Sequence, residues 1–252
     1  MEDKRKKIIC FSKELYQFSL IIVDEAQELQ SELLYDLSVL ANHSKFYIFG
    51  DEYQRIQNRY DENQEEIWKN NLEISNPIKL KKNYRNPQNI VALIQKLIPS
   101  DYEQFAARED DAKIEVRYVD TPELLKSEII EFKSIHEKSQ IITILRDTWS
   151  WTSSILMDLF QNNMGSDWMT VKHSLGIESE NTIVVVEDLF ESKLSSFLYT
   201  AITRTLGDLK IIFYFGDDKF GRCYDEDAIK RFRASDLNQL FLKCQTEENN
   251  DI

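Results

Sequence analysis

Two stretches of this chain end an apolar run on carboxylates. LIIVDEAQEL (20–29) carries Asp24 and Glu25, and KFYIFGDEYQ (45–54) carries Gly50, Asp51 and Gln54. Acids at the C-terminal edge of a buried parallel strand lie where open α/β sheets bind their ligands. Such a pair suits metal-assisted phosphate chemistry. One carboxylate holds Mg²⁺, usually through water, and the other orients or deprotonates an attacking water. The plainer alternative for DEAQ is an acidic helix start, since Asp and Glu favour the helix dipole. For GDEYQ it is a turn with polar decoration. Taken together on neighbouring strands, the two become a site and its sensor, with Asp51 on the nucleotide side and the Gln54 amide able to reach a terminal phosphate.

Further along, NPIKLKKNYRNPQ groups Lys79, Lys81, Lys82 and Arg85 into a local basic cluster. Tyr84 offers an aromatic face for a base and Arg85 a guanidinium for a phosphate. MTVKHSLGIES sets Lys172, His173, Gly176 and Glu178 in a loop after a strand, and LYTAITRT carries Arg204 on a helix. Alone, Arg204 reads as a surface or helix C-terminal-turn arginine.

The elements that must position these residues follow from periodicity. Leu20–Val23 reads as a buried parallel strand, and Phe46–Phe49 as a second one. Leu29, Leu33, Leu34, Leu37 and Leu40 make 28–41 an amphipathic helix. A polar helix is expected near 61–71, and Asn86-Pro87 starts another with Pro in its first turn. Strands are expected at 113–119, 140–145, 168–171, 182–186 and 209–215, with helices at 121–137, 149–162 and 194–205. This alternation predicts a mostly parallel sheet covered on both faces. Residues 225–246 read as one charged amphipathic helix with Leu237, Leu240, Phe241 and Leu242.

Composition bounds the class. The 252 residues are 42% hydrophobic with only 6 Gly and 4 Pro, which argues for ordered globular structure. No apolar run approaches the roughly 18–20 residues of a membrane span, so no membrane partner is expected. Cys10, Cys223 and Cys244 are scattered and histidines number 3, which disfavours a disulfide framework or a zinc site and suggests a reducing cytoplasm. The net charge of −13 argues against a protein that simply coats nucleic acid. It leaves room for a motor that grips one strand through local positive charge.

In order and spacing these pieces resemble the later motifs of superfamily 1 helicases of the UvrD/Rep type. DEAQ (24–27) resembles the second motif, GDEYQ (50–54) the third, NYR (83–85) the fourth, TVKHSLGIE (170–178) the fifth and LYTAITR (198–204) the sixth. The resemblance implies an α/β, RecA-like P-loop NTPase fold. An incomplete first motor domain (1–78) would precede a complete second (79–220) and a helical tail (221–252). It implies ATP and Mg²⁺, with Asp24 on the metal, Glu25 activating water, and Gln54 sensing the γ-phosphate. Tyr84 would stack on adenine and Glu178 contact the ribose. Arg85 and Arg204 would act as arginine fingers, so both domains would meet around the nucleotide. Single-stranded DNA is the implied partner, touched by Arg59, Lys172 and His173.

Three departures stand against the family pattern. G-x-x-x-x-G-K-[ST] does not occur in the sequence, so the β- and γ-phosphates lack their backbone nest and lysine. Lys172 and Leu175 occupy the His and Lys positions of the fifth motif. Arg59 stands where an aromatic that stacks on DNA is expected, with Tyr60 beside it. Residues 1–78 are therefore expected to lean on a protein partner, on upstream chain or on the second domain. The chain reads either as the C-terminal part of a DNA-dependent ATPase motor, or as a helicase-like module that binds without hydrolysing ATP.

Overall fold

A computed structural model describes residues 19–29, 33, 37, 45–54, 78–98, 103–145, 151–160, 167–189, 194–216, 224 and 226–247. The expected helix near 61–71, Arg59 and the last residues of the tail lie outside them. So does most of the expected helix 28–41, of which Leu33 and Leu37 are described and helical. The chain divides into two compact units, Met1–Leu80 and Lys81–Ile252.

In the first unit, β1 (Leu20–Val23) and β2 (Lys45–Ile48) pair in parallel, with Leu20 opposite Lys45 and Val23 opposite Ile48. Side chains alternate between faces along a strand. Ile21 and Val23 are half-buried, whereas Leu20, Ile22 and Tyr47 are exposed. This corrects the reading of Leu20–Val23 as a fully buried strand. A continuous apolar run identifies a strand but carries no information about whether both of its faces are covered.

The second unit holds a five-stranded, wholly parallel sheet. Its strands are β5 (Ile114–Val119), β6 (Ser139–Ile144), β7 (Trp168–Thr170), β8 (Asn181–Val186) and β9 (Leu209–Tyr214), in spatial order β5-β9-β8-β6-β7. The central strands are β-branched and aromatic without polar alternation, as burial on both faces requires. Along β8 and β9, Ile183, Val184, Val185, Ile211, Ile212 and Phe213 are all fully buried. The α/β class and the parallel sheet are as expected. Two short strands were not anticipated, β3 (Lys82–Asn83) and β4 (Phe105–Ala106), paired in parallel. At two residues each, they are too short to leave a period in the sequence.

Helices cover the sheet. They are α1 (Gln88–Leu97), α2 (Pro122–Ile135), α3 (Trp151–Leu159), α4 (Leu194–Ile202), α5 (Glu226–Arg233) and α6 (Asp236–Glu247). Thr121 caps α2 by accepting from Leu124 N at 3.3 Å, with Pro122 pre-set for the first turn. Leu125, Ile129 and Phe132 of α2 and Leu156 of α3 pack with Ile141, Ile183 and Ile212 into one core. Pro87 sits at the cap of α1 rather than inside its first turn.

The tail is two helices, not one. Ser235 breaks it: its Oγ accepts from Asn238 N at 3.2 Å and caps α6. Both pieces pack on the sheet through aromatic rings, Phe232 and Phe241 lying 5.1 and 5.4 Å from Phe213. Tyr118 donates to Asn238 Oδ1 at 2.8 Å and fixes the second piece against β5.

One charged residue lies inside β9. Lys210 is 1% exposed, its ammonium 2.6 Å from Glu128 Oε2 and 3.4 Å from Glu115 Oε2. Burial pushes the Glu115 carboxyl up, but a hydrogen bond from Lys113 and the charges of Lys210, Lys113 and Arg117 outweigh it and hold it below the usual carboxylate range. A group depressed in this way contributes stability that is complete above its unfolded value and is lost as pH falls through its folded value. Lys210→Met is therefore expected to destabilise the second unit by about 3 kcal/mol at neutral pH, the low end for a broken buried pair because both acids keep some water. The deficit should shrink below about pH 4. Urea denaturation at the two pH values checks both statements.

Candidate nucleotide and nucleic-acid site

In the first unit, DEAQ follows β1 and GDEYQ follows β2, so parallel pairing brings both motifs to the same sheet edge. Ala26 N donates to Phe49 O at 2.9 Å and closes the two loops together. Gln27, fully buried, joins their chemistry. Its Nε2 donates to Glu25 Oε2 at 2.5 Å, and its Oε1 accepts from Asp51 N at 3.0 Å. Gln54 Nε2 donates in turn to Asp51 Oδ2 at 3.1 Å. A continuous hydrogen-bonded path thus runs from Gln54 through Asp51 and Gln27 to Glu25. Sequence reasoning named Glu25, Asp51 and Gln54 and missed Gln27, although the residue lay inside the quoted motif.

Glu25 adopts the left-handed conformation (φ 50°, ψ 39°), the only non-glycine at positive φ among the described residues. That costs roughly 1–2 kcal/mol and is typical of positions held for function. Asp24 is exposed and accepts from Glu25 N at 2.9 Å. Mg²⁺ in nucleotide sites takes one or two carboxylates together with phosphates and water, rather than a closed protein cage. The hard oxygen donors of Asp24 and its neighbours fit that mode. No group of three or more His, Cys, Asp or Glu able to hold a metal occurs among the described residues.

In the second unit, three loops distant in sequence meet. Register places the residues just before β8, β9 and β5 at one edge, since Asn181 pairs with Ser139 and Leu209 pairs with both Thr182 and Ile114. There, Ser179 N donates to Arg204 O at 3.0 Å and Leu206 N to Ser179 O at 2.8 Å. The third loop is NYRN. Asn83 Oδ1 accepts from both Arg85 N and Asn86 N at 3.0 Å, turning Tyr84 and Arg85 outward. Tyr84 is 72% exposed, with the Lys82 ammonium 5.2 Å from its ring centre.

Arg85 meets Glu178 at 2.7 Å, both half-exposed. An exposed pair of this kind is worth about 0–1 kcal/mol, too little to lock the guanidinium against a phosphate. What holds this segment is the backbone: Arg108 Nη1 donates to Arg85 O at 2.8 Å and to Leu206 O at 2.7 Å. Arg108 is itself held by Asp110, whose carboxyl that hydrogen bond keeps below the usual range. Asn86 bonds Thr203 O and Thr205 O on either side of Arg204. From the sequence Asn86 was named only as a helix start, and Arg108 was not named.

Arg204 is only 2% exposed, and its Nε donates to Thr200 O at 3.1 Å. It is therefore a buried arginine just past the helix end, bonded to a carbonyl of the last turn, which matches the helix-end part of the plainer reading and not the surface part. Lys172 and His173 are brought together with neither Arg85 nor Glu178. They follow β7 at the opposite edge of the sheet, exposed, with His173 Nδ1 2.8 Å from Thr170 Oγ1.

Gly50 provides a test of the first-unit geometry. A Cβ there would stand 2.7 Å from Gln27 Oε1. Gly50→Ala should cost about 1–3 kcal/mol in chemical denaturation, and much less in a Gln27→Ala background. An equal cost in both backgrounds would show that Gln27 is not the obstacle.

Residues 4–213 match the model of the viral superfamily 1 RNA helicase core domain. Among solved structures the chain is similar to the arterivirus nonstructural protein 10 helicase (16% identity, 87% of this chain and 40% of that chain, TM-score 0.48). It is also similar to the PRRSV helicase (16% identity, 90% and 50%, TM-score 0.43). A structure of the arterivirus protein with DNA matches at 16% identity over 76% and 38% (TM-score 0.45). The chain thus spans half or less of the length of these structures. No curated protein matches it by sequence. The chain belongs to the family of viral superfamily 1 RNA helicase core domains.

Proposed function

We propose that this chain is part of an ATP-driven motor that moves along a single strand of nucleic acid. Asp24 holds Mg²⁺, which when bound neutralises phosphate charge, and Glu25 orients the attacking water. Gln54 reads the terminal phosphate and passes that state to Glu25 through Asp51 and Gln27. Tyr84 takes the base, Glu178 the ribose, and Arg85 and Arg204 the phosphates. Arg85 exchanges its weak bond to Glu178 for phosphate oxygens. Arg204 leaves its buried position to do the same. Lys172 and His173, with Arg59, bear on the strand. The observation that carries this reading is the Gln54–Asp51–Gln27–Glu25 path, which joins the residue proposed to sense phosphate to the carboxylate proposed to activate water.

The phosphate loop is supplied by residues outside this sequence. A second reading, a helicase-like module that binds without turnover, draws on the missing G-x-x-x-x-G-K-[ST] and on Lys172 and Leu175 in the fifth motif. As to the strand, the family's description favours RNA, while the UvrD/Rep resemblance of the motifs favours DNA.

ATP turnover by the chain completed with a phosphate-loop-bearing segment, with single-stranded RNA or DNA of equal length, separates these readings. The motor reading expects nucleic-acid-stimulated turnover that falls about 10²–10⁴-fold in Glu25→Gln. Greater stimulation by RNA supports the viral-type assignment, and greater stimulation by DNA the UvrD/Rep type. Binding of Mg·ATP with no turnover on either strand would replace the motor by the binding module.

A further inference from the structure

We infer that Asn86 is a positioning residue for phosphate recognition: its side-chain amide fixes the spacing between the loops that carry Arg85 and Arg204. The inference rests on the reading that these two arginines take nucleotide phosphates.

Asn86 is 1% exposed, adjacent to Arg85 in sequence, and reaches away from it into the turn after α4. There its Nδ2 donates to Thr203 O at 3.2 Å and to Thr205 O at 2.7 Å, the two carbonyls that flank Arg204. On the other side its Oδ1 accepts from Asn83 Nδ2 at 3.0 Å, and its backbone N–H donates to Asn83 Oδ1 at the same distance. Only a primary amide of this length satisfies the arrangement. It needs two donors on one atom for two carbonyls, and an acceptor facing the opposite way. An aspartate would press a carboxylate against two carbonyl oxygens.

A second fastener lies on the same pair of loops. Arg108 bridges Arg85 O and Leu206 O. Asn86 and Arg108 thus grip the NYRN loop at adjacent residues and bind it to both ends of the 203–206 turn. Asn83 extends the network through Gln104 Oε1 at 3.2 Å, and Gln104 donates to the Tyr199 hydroxyl on α4 at 3.3 Å. A displacement of Arg85 therefore drags the Arg204 turn with it. The half-exposed Arg85–Glu178 pair leaves the guanidinium itself free to change partner while its backbone stays fixed.

The test compares equilibrium binding of fluorescent ATP and ADP analogues, each with Mg²⁺, to the full chain completed with the same phosphate-loop-bearing segment. The proteins are wild type, Arg85→Ala, Asn86→Ala, Arg108→Ala and the Arg85→Ala/Asn86→Ala pair. The wild type should prefer ATP, and Arg85→Ala should lose that preference. Asn86→Ala and Arg108→Ala should each cut the ATP-over-ADP ratio about tenfold with ADP affinity nearly unchanged, and Asn86→Ala should add nothing in the Arg85→Ala background. A purely structural asparagine would weaken both nucleotides alike and leave the ratio intact, which overturns the inference. If Asn86→Ala does not fold, Arg108→Ala, on a more exposed side chain, decides alone. A ratio lost in Arg85→Ala but kept in Asn86→Ala and Arg108→Ala removes the positioning role only. Absence of any ATP preference in the wild type removes the phosphate reading and this inference with it.

Discussion

The amide of Asn86 on the carbonyls of Thr203 and Thr205 is the contact on which the second unit's candidate site depends. Parallel sheets place loops at an edge but do not tie one loop to the next. Here the strand ends give only a shared neighbourhood for the segments before β5, β8 and β9. Buried hydrogen bonds from side chains to main-chain carbonyls convert it into one body. Each such bond contributes about 0.5–1.5 kcal/mol net. Leaving its buried partners unmade costs about 1–3 kcal/mol each. Removal is therefore more disruptive than the net value of the bonds suggests. The exposed Arg85–Glu178 pair is worth less than one of them. That ordering of magnitudes lets a backbone stay fixed while the guanidinium it carries remains exchangeable.

The first unit solves a similar problem with Gln27. A side-chain amide again serves two partners, a carboxylate on one motif and a main-chain N–H on the next. Gly50 leaves the space that this requires, and Glu25 bears the backbone strain. In both units an amide side chain takes a linking role, while Asp24 and Arg85 stay in contact with solvent. Amides suit this because they are satisfied by hydrogen bonds alone, with no charge to desolvate.

Much of the fold was legible because β-branched runs and helical spacing are local properties. The five sheet strands fell within a residue or two of their expected bounds, and their alternation with helices implied parallel pairing. DEAQ and GDEYQ came together as read because both follow strands that pair. The clasp was not legible, because the acceptors of Asn86 and Arg108 are backbone carbonyls, which every residue possesses. A polar residue destined for one looks like any loop asparagine. The break in the tail had a signal that went unread: Ser235-Asp236 opens a helix as serine caps commonly do. The UvrD/Rep resemblance was read from short motifs, and the family that matches is the viral RNA helicase core of the same superfamily 1. Short motifs of that kind say little about which strand a helicase tracks.

Native-state hydrogen exchange in low urea tests most directly whether the three loops form one body. The amides of Arg85, Asn86, Ser179 and Leu206, each donating within the cluster, should open with a common free energy and a common urea dependence, as members of one cooperative unit do. Opening of Arg85 and Asn86 at markedly lower free energy than Ser179 and Leu206 would mean that the NYRN loop moves independently of the Arg204 turn, and would contradict the account.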